Sequence, residues 1–549
     1  MSLSLKNIVN LQQILNMKKP LSLVMIFILL MIILSNCAKR GRPEGGPKDE
    51  DAPIMTLAKP AHLTTNFKED EIRIYFDEYV KLKDLQKQLI VSPPLKYSPI
   101  IKPLGTPSKY ISIKILDTLK ENTTYTFNFG ESVIDNTEGN VLHNFKYVFS
   151  TGDIIDSLKV SGTIKDAFDK EADKNITVML YEVNESFTDS TIFNEKPLYI
   201  ASTLDTTAWE ITNIKAGNYL LMALNDVSKN YKFNPKEDGI GFLKEYISVP
   251  KDSSNHIIKL FREELPFQLR KPLEVNKGHI LFGYEGLADS LKITPLAVSE
   301  KFQSFSHFEK DKDTLNFWYK ENVKDSVQFY ISNKEFQDTV TVKLRNKTID
   351  SLRIEGSSRG TLHLRDQFKL VSNIPIQNID TTKISFVDKD SVNIPHTLKM
   401  GTAKNEIELN FTKAFSQKYT LELLPEAITD FFGNVNDTLK YNLKTKKPAD
   451  YGFLYLTLEN VNRYPIIVQL IKEKGELIEE VYAENEQEYI FRNLVPAKYL
   501  VRIIYDDNKN KKWDTGNFLF KKQPEEVIYF DTVLDVRANW EMTETFILK

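Results

Sequence analysis

From residue 52 onward the hydrophobic positions recur with period two. At 72–76, 110–115 and 125–129 apolar and polar residues alternate, the mark of strands with one face on a core and one toward water. The same alternation returns at 178–181, 325–331 and 406–411. Turn formers fall between these runs at intervals of about 8–12 residues, the spacing of β-sandwiches. Within 53–152 the one stretch with helical character, Leu82 to Leu89, is short. The pattern predicts an all-β chain. At 549 residues it is too long for one core, since domains run to about 100–150 residues, so several sandwiches in tandem are expected.

Ahead of the strands the pattern changes. Lys18 and Lys19 precede an apolar run, Leu21 to Leu34, broken only by Ser22, and the run ends in Ser35, Asn36 and Cys37. A membrane-spanning helix needs about 20 apolar residues; this run has the length of a signal-peptide core. The segment resembles a bacterial lipoprotein signal, in which cleavage precedes a cysteine that is then acylated. That resemblance implies removal of residues 1–36, with Met17 as an alternative start, and a lipid on Cys37. Three acyl chains would hold a membrane stably where one is marginal. Residues 37–52 contain Gly41, Pro43, Gly45, Gly46 and Pro47 and read as a flexible tether. Surface-exported lipoproteins of Bacteroidota often carry acids directly after the cysteine. Here Ala38, Lys39, Arg40 and Gly41 follow it, and acids cluster only at Asp49, Glu50 and Asp51. The expected location is the outer membrane, on its periplasmic face rather than the cell surface.

Two internal repeats organise the rest. Tyr125 to Thr151 lies on Tyr419 to Thr445 without a gap, so that Ile134 meets Ile428 and Gly139-Asn140-Val141 meets Gly433-Asn434-Val435. With Asn66, Phe67 and 74–78 upstream, residues 53–152 resemble the SbsA-type bacterial Ig-like domain, with a second copy at 356–448. In the other repeat Asn213 to Leu220 lies on Asn493 to Leu500, and Asp226, Ser228, Asn230 and Phe233 lie on Asp506, Asn508, Asn510 and Trp513. These residues resemble transthyretin-like, carboxypeptidase-regulatory-like sandwiches, at 156–263 and 450–549. Residues 264–355 show strands without a family signal. The Ig-like resemblance implies a spacer and presentation module rather than an active site. Laid end to end, five modules of about 35 Å each would span well over ~100 Å.

Candidate chemistry changes this picture little. The chain is 27% charged with a net charge of −3, spread evenly, which leaves no basic footprint for nucleic acid. One cysteine excludes internal disulfides and multi-cysteine metal sites, and once acylated it excludes a disulfide-linked oligomer. Asp506, Asn508, Asn510 and Asp514 have the spacing with which a Ca²⁺ loop converges its ligands. Lys511 and Asn517, however, stand where an EF-hand has glycine and its bidentate glutamate. The other reading is an Asx-rich hairpin loop that caps its own backbone. No other cofactor is indicated. Ser358 lies in a G-x-S-x-G match, but strand rather than helix is expected after it, so it is no nucleophile elbow. Seven histidines are scattered singly, without zinc spacing. No catalytic residue and no enzyme is expected. Asp-Ser/Thr before an apolar residue or Thr resembles the O-glycosylation motif of exported Bacteroidota proteins. It implies acceptors at Thr118, Ser157, Ser190, Ser290, Ser326, Ser351 and Thr438, although such pairs are also ordinary turn chemistry.

The reading that follows is a non-enzymatic, lipid-anchored scaffold or adaptor bridging outer-membrane or periplasmic proteins. The alternative is a surface lipoprotein that binds a glycan through sandwich end loops or through aromatics near Trp318, Tyr319 and Trp513.

Overall fold

The computed structural model describes residues 49–320, 325–345 and 348–548; Cys37 and the segment before it lie outside them. The described chain is all-β, built as successive two-sheet sandwiches. In the first, one sheet runs Met55–Lys59, Glu71–Leu82, Ser108–Lys114, Ile100–Lys102, with Val133–Asp135 on the far end of the long strand. The other runs Ile90–Ser92, Thr124–Asn128, Lys146–Ser150. Period-two alternation sends Ile72, Ile74, Phe76 and Val80 inward against Ile111, Ile113, Phe127 and Phe149. The helical stretch shrinks to one turn, Leu85–Gln88.

The fourth module repeats this topology. Its first sheet is Ile354–Gly356, Lys369–Ser372, Glu406–Phe411, His396–Met400; its second contains Ile384–Asp388, Lys418–Leu423 and Leu439–Lys444. The long strand of the first module is split here into Lys369–Ser372 and Ile376–Ile379, which is why the copy fades at its start. Equivalent hydrogen bonds mark the repeat. The Lys120 amide donates to the Tyr125 hydroxyl at 2.9 Å and the Ala414 amide to that of Tyr419 at 3.1 Å. The hydroxyls of Thr151 and Thr445 donate at 2.6 Å to the carbonyls of Lys120 and Ala414. The gapless alignment fails at one turn. Ile134 bridges Val141, but Thr429 rather than Ile428 bridges Val435. The turn from Asp135 to Val141 is one residue longer than the turn from Asp430 to Val435, and it places four backbone amides on its aspartate where the shorter turn places two.

The second and fifth modules share every strand pairing. Tyr199–Ser202, Thr177–Glu182, Gly217–Asn225, Gly239–Phe242 corresponds to Leu477–Ala483, Ile466–Lys472, Ala497–Tyr505, Val527–Tyr529. In the facing sheets, His256–Leu260 runs parallel to Leu158–Asp166 and Glu541–Ile547 parallel to Gly452–Glu459. Tyr219 and Tyr499 donate their hydroxyls to the carbonyls of Lys215 and Val495, and Asn213 and Asn493 share the left-handed conformation. The third module sets Gln268–Leu269, Leu273–Asn276, His279–Glu285, Thr314–Lys320 and Gln303–Phe308 against Lys292–Leu296, Ser326–Asn333 and Phe336–Lys343.

The modules are not strung end to end, and the extended span does not hold. Consecutive modules touch through Ser92 to Ile200, Lys236 to Gln268, Lys320 to Gln377, and Arg365 to the Arg492 carbonyl. The fifth then packs back onto the second, which closes the chain from the second module to the last. The reason is burial. The outward positions Met179, Tyr181, Leu220, Met222 and Leu224 of the second module's sheet are apolar and need a cover.

Candidate functional site

The paired Asx loops and the joint they build form the most structured region outside the sandwich cores. In each loop an aspartate at the end of a central strand turns its carboxylate back on the chain. Asp226 accepts the amides of Asn230 and Tyr231 at 3.2 and 2.7 Å; Asp506 accepts those of Asn510 and Lys511 at 3.0 and 2.8 Å. A second buried carboxylate, which the sequence did not flag, closes each loop from the far side. Asp238 accepts the amides of Val227 and Asn234 at 3.0 and 2.9 Å. Glu525 accepts those of Asp507 and Asp514 at 2.9 and 3.0 Å. Burial raises the carboxyl pKa of Asp226 and of Glu525, and the amide bonds partly offset it.

Of the four residues with Ca²⁺ spacing, three converge. Asn508 and Asn510 both aim their amide nitrogens at one oxygen of Asp514, while Asp506 is buried and committed to backbone. The geometry is that of an Asx loop capping itself, and a cation would compete with amides already in place. Among the described residues no group of three or more His, Cys, Asp or Glu could hold a metal ion.

Glu525 takes the place of Asp238 after a longer excursion. It follows Asp514 by eleven positions where Asp238 follows Asn234 by four. The added length is a tongue closed by paired bonds between Asn517 and Lys522 at 2.8 and 2.9 Å. Its Phe518 is fully buried in the second module, among Ile192, Phe242 and Phe261, with the Phe242 ring 5.2 Å away and edge-on. Lys521 pairs with Asp189 at 2.6 Å, Thr515 donates to the Arg262 carbonyl at 2.6 Å, and Gln523 donates to that of Phe242 at 3.0 Å. Gly516 is required: a Cβ there would meet the Phe261 ring at 2.6 Å. The second module answers with Phe168, whose ring lies 4.7 Å from Trp513 and 3.8 Å from the Arg502 guanidinium. A sequence signal existed, since Phe518, Leu519 and Phe520 form an apolar triplet in an otherwise polar loop.

The other flagged positions do not gather into one site. Trp318 and Tyr319 are buried, which removes them as an exposed platform: Trp318 stacks on His279 at 3.6 Å and meets Phe432 of the fourth module. Trp513 is half-buried in the joint and donates its indole N–H to the Glu525 carbonyl at 3.0 Å. The Ser358 hydroxyl donates to the Thr361 carbonyl within a turn, and strand Gly360–Thr361 follows. Thr118, Ser157, Ser190, Ser290, Ser326, Ser351 and Thr438 are all exposed.

Residues 49–151 match the bacterial Ig-like domain family. The first module is thus similar to bacterial Ig-like domains. No curated protein matches the chain. Among solved structures, domains 1–6 of the surface layer protein SbsC are 10% identical over 85% of this chain and 67% of that one, at a TM-score of 0.15. A titin tandem is 12% identical over 52% and 100%, at 0.12. The Bacillus anthracis TIE protein is 10% identical over 92% and 76%, at 0.13. Likeness at these scores supports no argument about function or module arrangement.

Proposed function

We propose that the chain is a lipid-anchored, non-enzymatic scaffold or adaptor at the outer membrane of a Bacteroidota-type bacterium, on the periplasmic face, bridging envelope proteins. In general terms, a multi-domain chain with a bacterial Ig-like module fits a non-enzymatic scaffold or adhesion role. The observation that carries the reading is the joint. Phe518 is buried in the apolar cluster on the outer face of the second module's sheet, so the fifth module is joined to the second by side-chain burial, a contact that suits a platform for partners. No helix of the described residues is long and apolar enough to cross a membrane, so membrane attachment in this reading rests on Cys37. The seven exposed hydroxyls are positions where O-linked glycans fit. The intact mass of the protein extracted from its membrane tests both modifications: three acyl chains on a chain beginning at Cys37, plus hexose-sized increments. An unmodified full-length mass overturns them. Crosslinking in intact cells, followed by pull-down, is expected to recover outer-membrane or periplasmic proteins; recovery of none counts against scaffolding.

A further inference from the structure

The outer face of the first module's larger sheet carries an excess of positive charge. Lys59 lies opposite Arg73, Arg73 opposite Ser112, and Ser112 opposite Lys102, in a single row across four strands. The next row is Leu57, Tyr75 and Tyr110, with the two rings 5.6 Å apart. On the other side of the cationic row Glu71 lies opposite Lys114 and Lys114 opposite Ile100. The four cations are exposed, and of them only Arg73 has a carboxylate partner among the described residues, Glu71 at 3.0 Å. Like charges directly opposite one another destabilise a sheet, so Lys59 opposite Arg73 is a local cost that the Arg73–Glu71 pair offsets only in part.

The fourth module is an internal control. There the corresponding face reads Lys369, Glu408, Lys399 across three strands, and Lys369 pairs with Glu406 at 2.8 Å and Glu408 at 3.4 Å. The topology accepts alternating charges, and the first module does without them.

We propose that this face of the first module rests on an anionic lipid bilayer, an inference that builds on the lipid-anchored reading. Lysine, arginine and tyrosine beside small apolar contributions from Leu57 and Ile100 are the composition of an interfacial contact. In these three rows the outward positions carry no Asn, Gln or Asp, and the one Glu, Glu71, is paired with Arg73, so the face is poor in the planar groups a saccharide site would use to read hydroxyls. Placement agrees. Strand Met55–Lys59 belongs to this sheet and begins 18 positions after Cys37, a reach of at most about 65 Å for extended chain. Asp77 and Glu78 lie beyond Tyr75 on the same strand, so contact is made by the end bearing Lys59, Lys102 and Lys114.

The test uses the chain from residue 38 onward, which keeps every described residue and carries no acyl group, so its outcome is independent of whether Cys37 is lipidated. Sedimentation with phosphatidylcholine vesicles containing about one-third phosphatidylglycerol should show binding that pure phosphatidylcholine does not, and K59S/R73S/K102S should weaken it about 100-fold. K399S/K440S/K498S, which removes three exposed lysines elsewhere, should leave it unchanged. Equal loss in both variants, or no preference for the anionic vesicles, overturns the proposal. So does binding to a soluble polyuronate but not to vesicles, which would assign the face to an acidic glycan.

Discussion

Asp135 accepts the amides of Thr137, Glu138, Gly139 and Asn140, and the same device recurs at Asp430, Asp226, Asp238, Asp506 and Glu525 with fewer donors. Burial works against the Asp135 carboxylate, but the four amides outweigh it and hold its pKa below the ordinary range. A depressed pKa means that the stabilisation is complete above the unfolded-state pKa and is lost as pH falls through the folded one. D135N should therefore cost roughly 1.5–3 kcal/mol at neutral pH. The gap from wild type should close as pH drops below the usual aspartate range. Calorimetry across pH checks this, and a gap that does not narrow in acid would show that the carboxylate's charge is not what matters. At this scale Asp226 and Asp506 were legible because their Asx spacing repeats. Asp238 and Glu525 were not, because loops of unequal length break the alignment that would pair them.

The tongue shows how an element takes on a role its parent fold lacks. Both loops begin with the same carboxylate cap, yet only the fifth module's carries Phe518 across to a neighbour. Truncating a buried phenylalanine costs about 3–5 kcal/mol, and here the loss falls on the joint. F518A should lower the melting temperature of the full chain and increase hydrogen exchange in Gly239–Phe242 more than in the first module. Unchanged exchange there would mean that the tongue does not seal the second module. Sequence patterning identified the strands well, since each needs only local alternation against a core. It missed the destination of the tongue because the triplet Phe518, Leu519 and Phe520 says neither which ring is buried nor where: Phe518 is buried, while Leu519 and Phe520 are exposed.

At the scale of the whole molecule, two kinds of information separate. Alternation, turn spacing and the two repeats were enough to establish an all-β chain with related modules, because strand formation and sandwich cores depend on contacts within about a hundred residues. The single cysteine and the apolar run before it gave the expected address in the same local way. The arrangement of modules was not available there. Whether Trp318 and Tyr319 face water or a neighbour, and whether the last module trails away or returns to the second, depends on surfaces hundreds of residues apart in sequence. Only the folded chain brings Phe518 to Phe242 and Trp513 to Phe168. The cationic row of the first module belongs to the same class, since Lys59, Arg73 and Lys102 become neighbours through strand register alone.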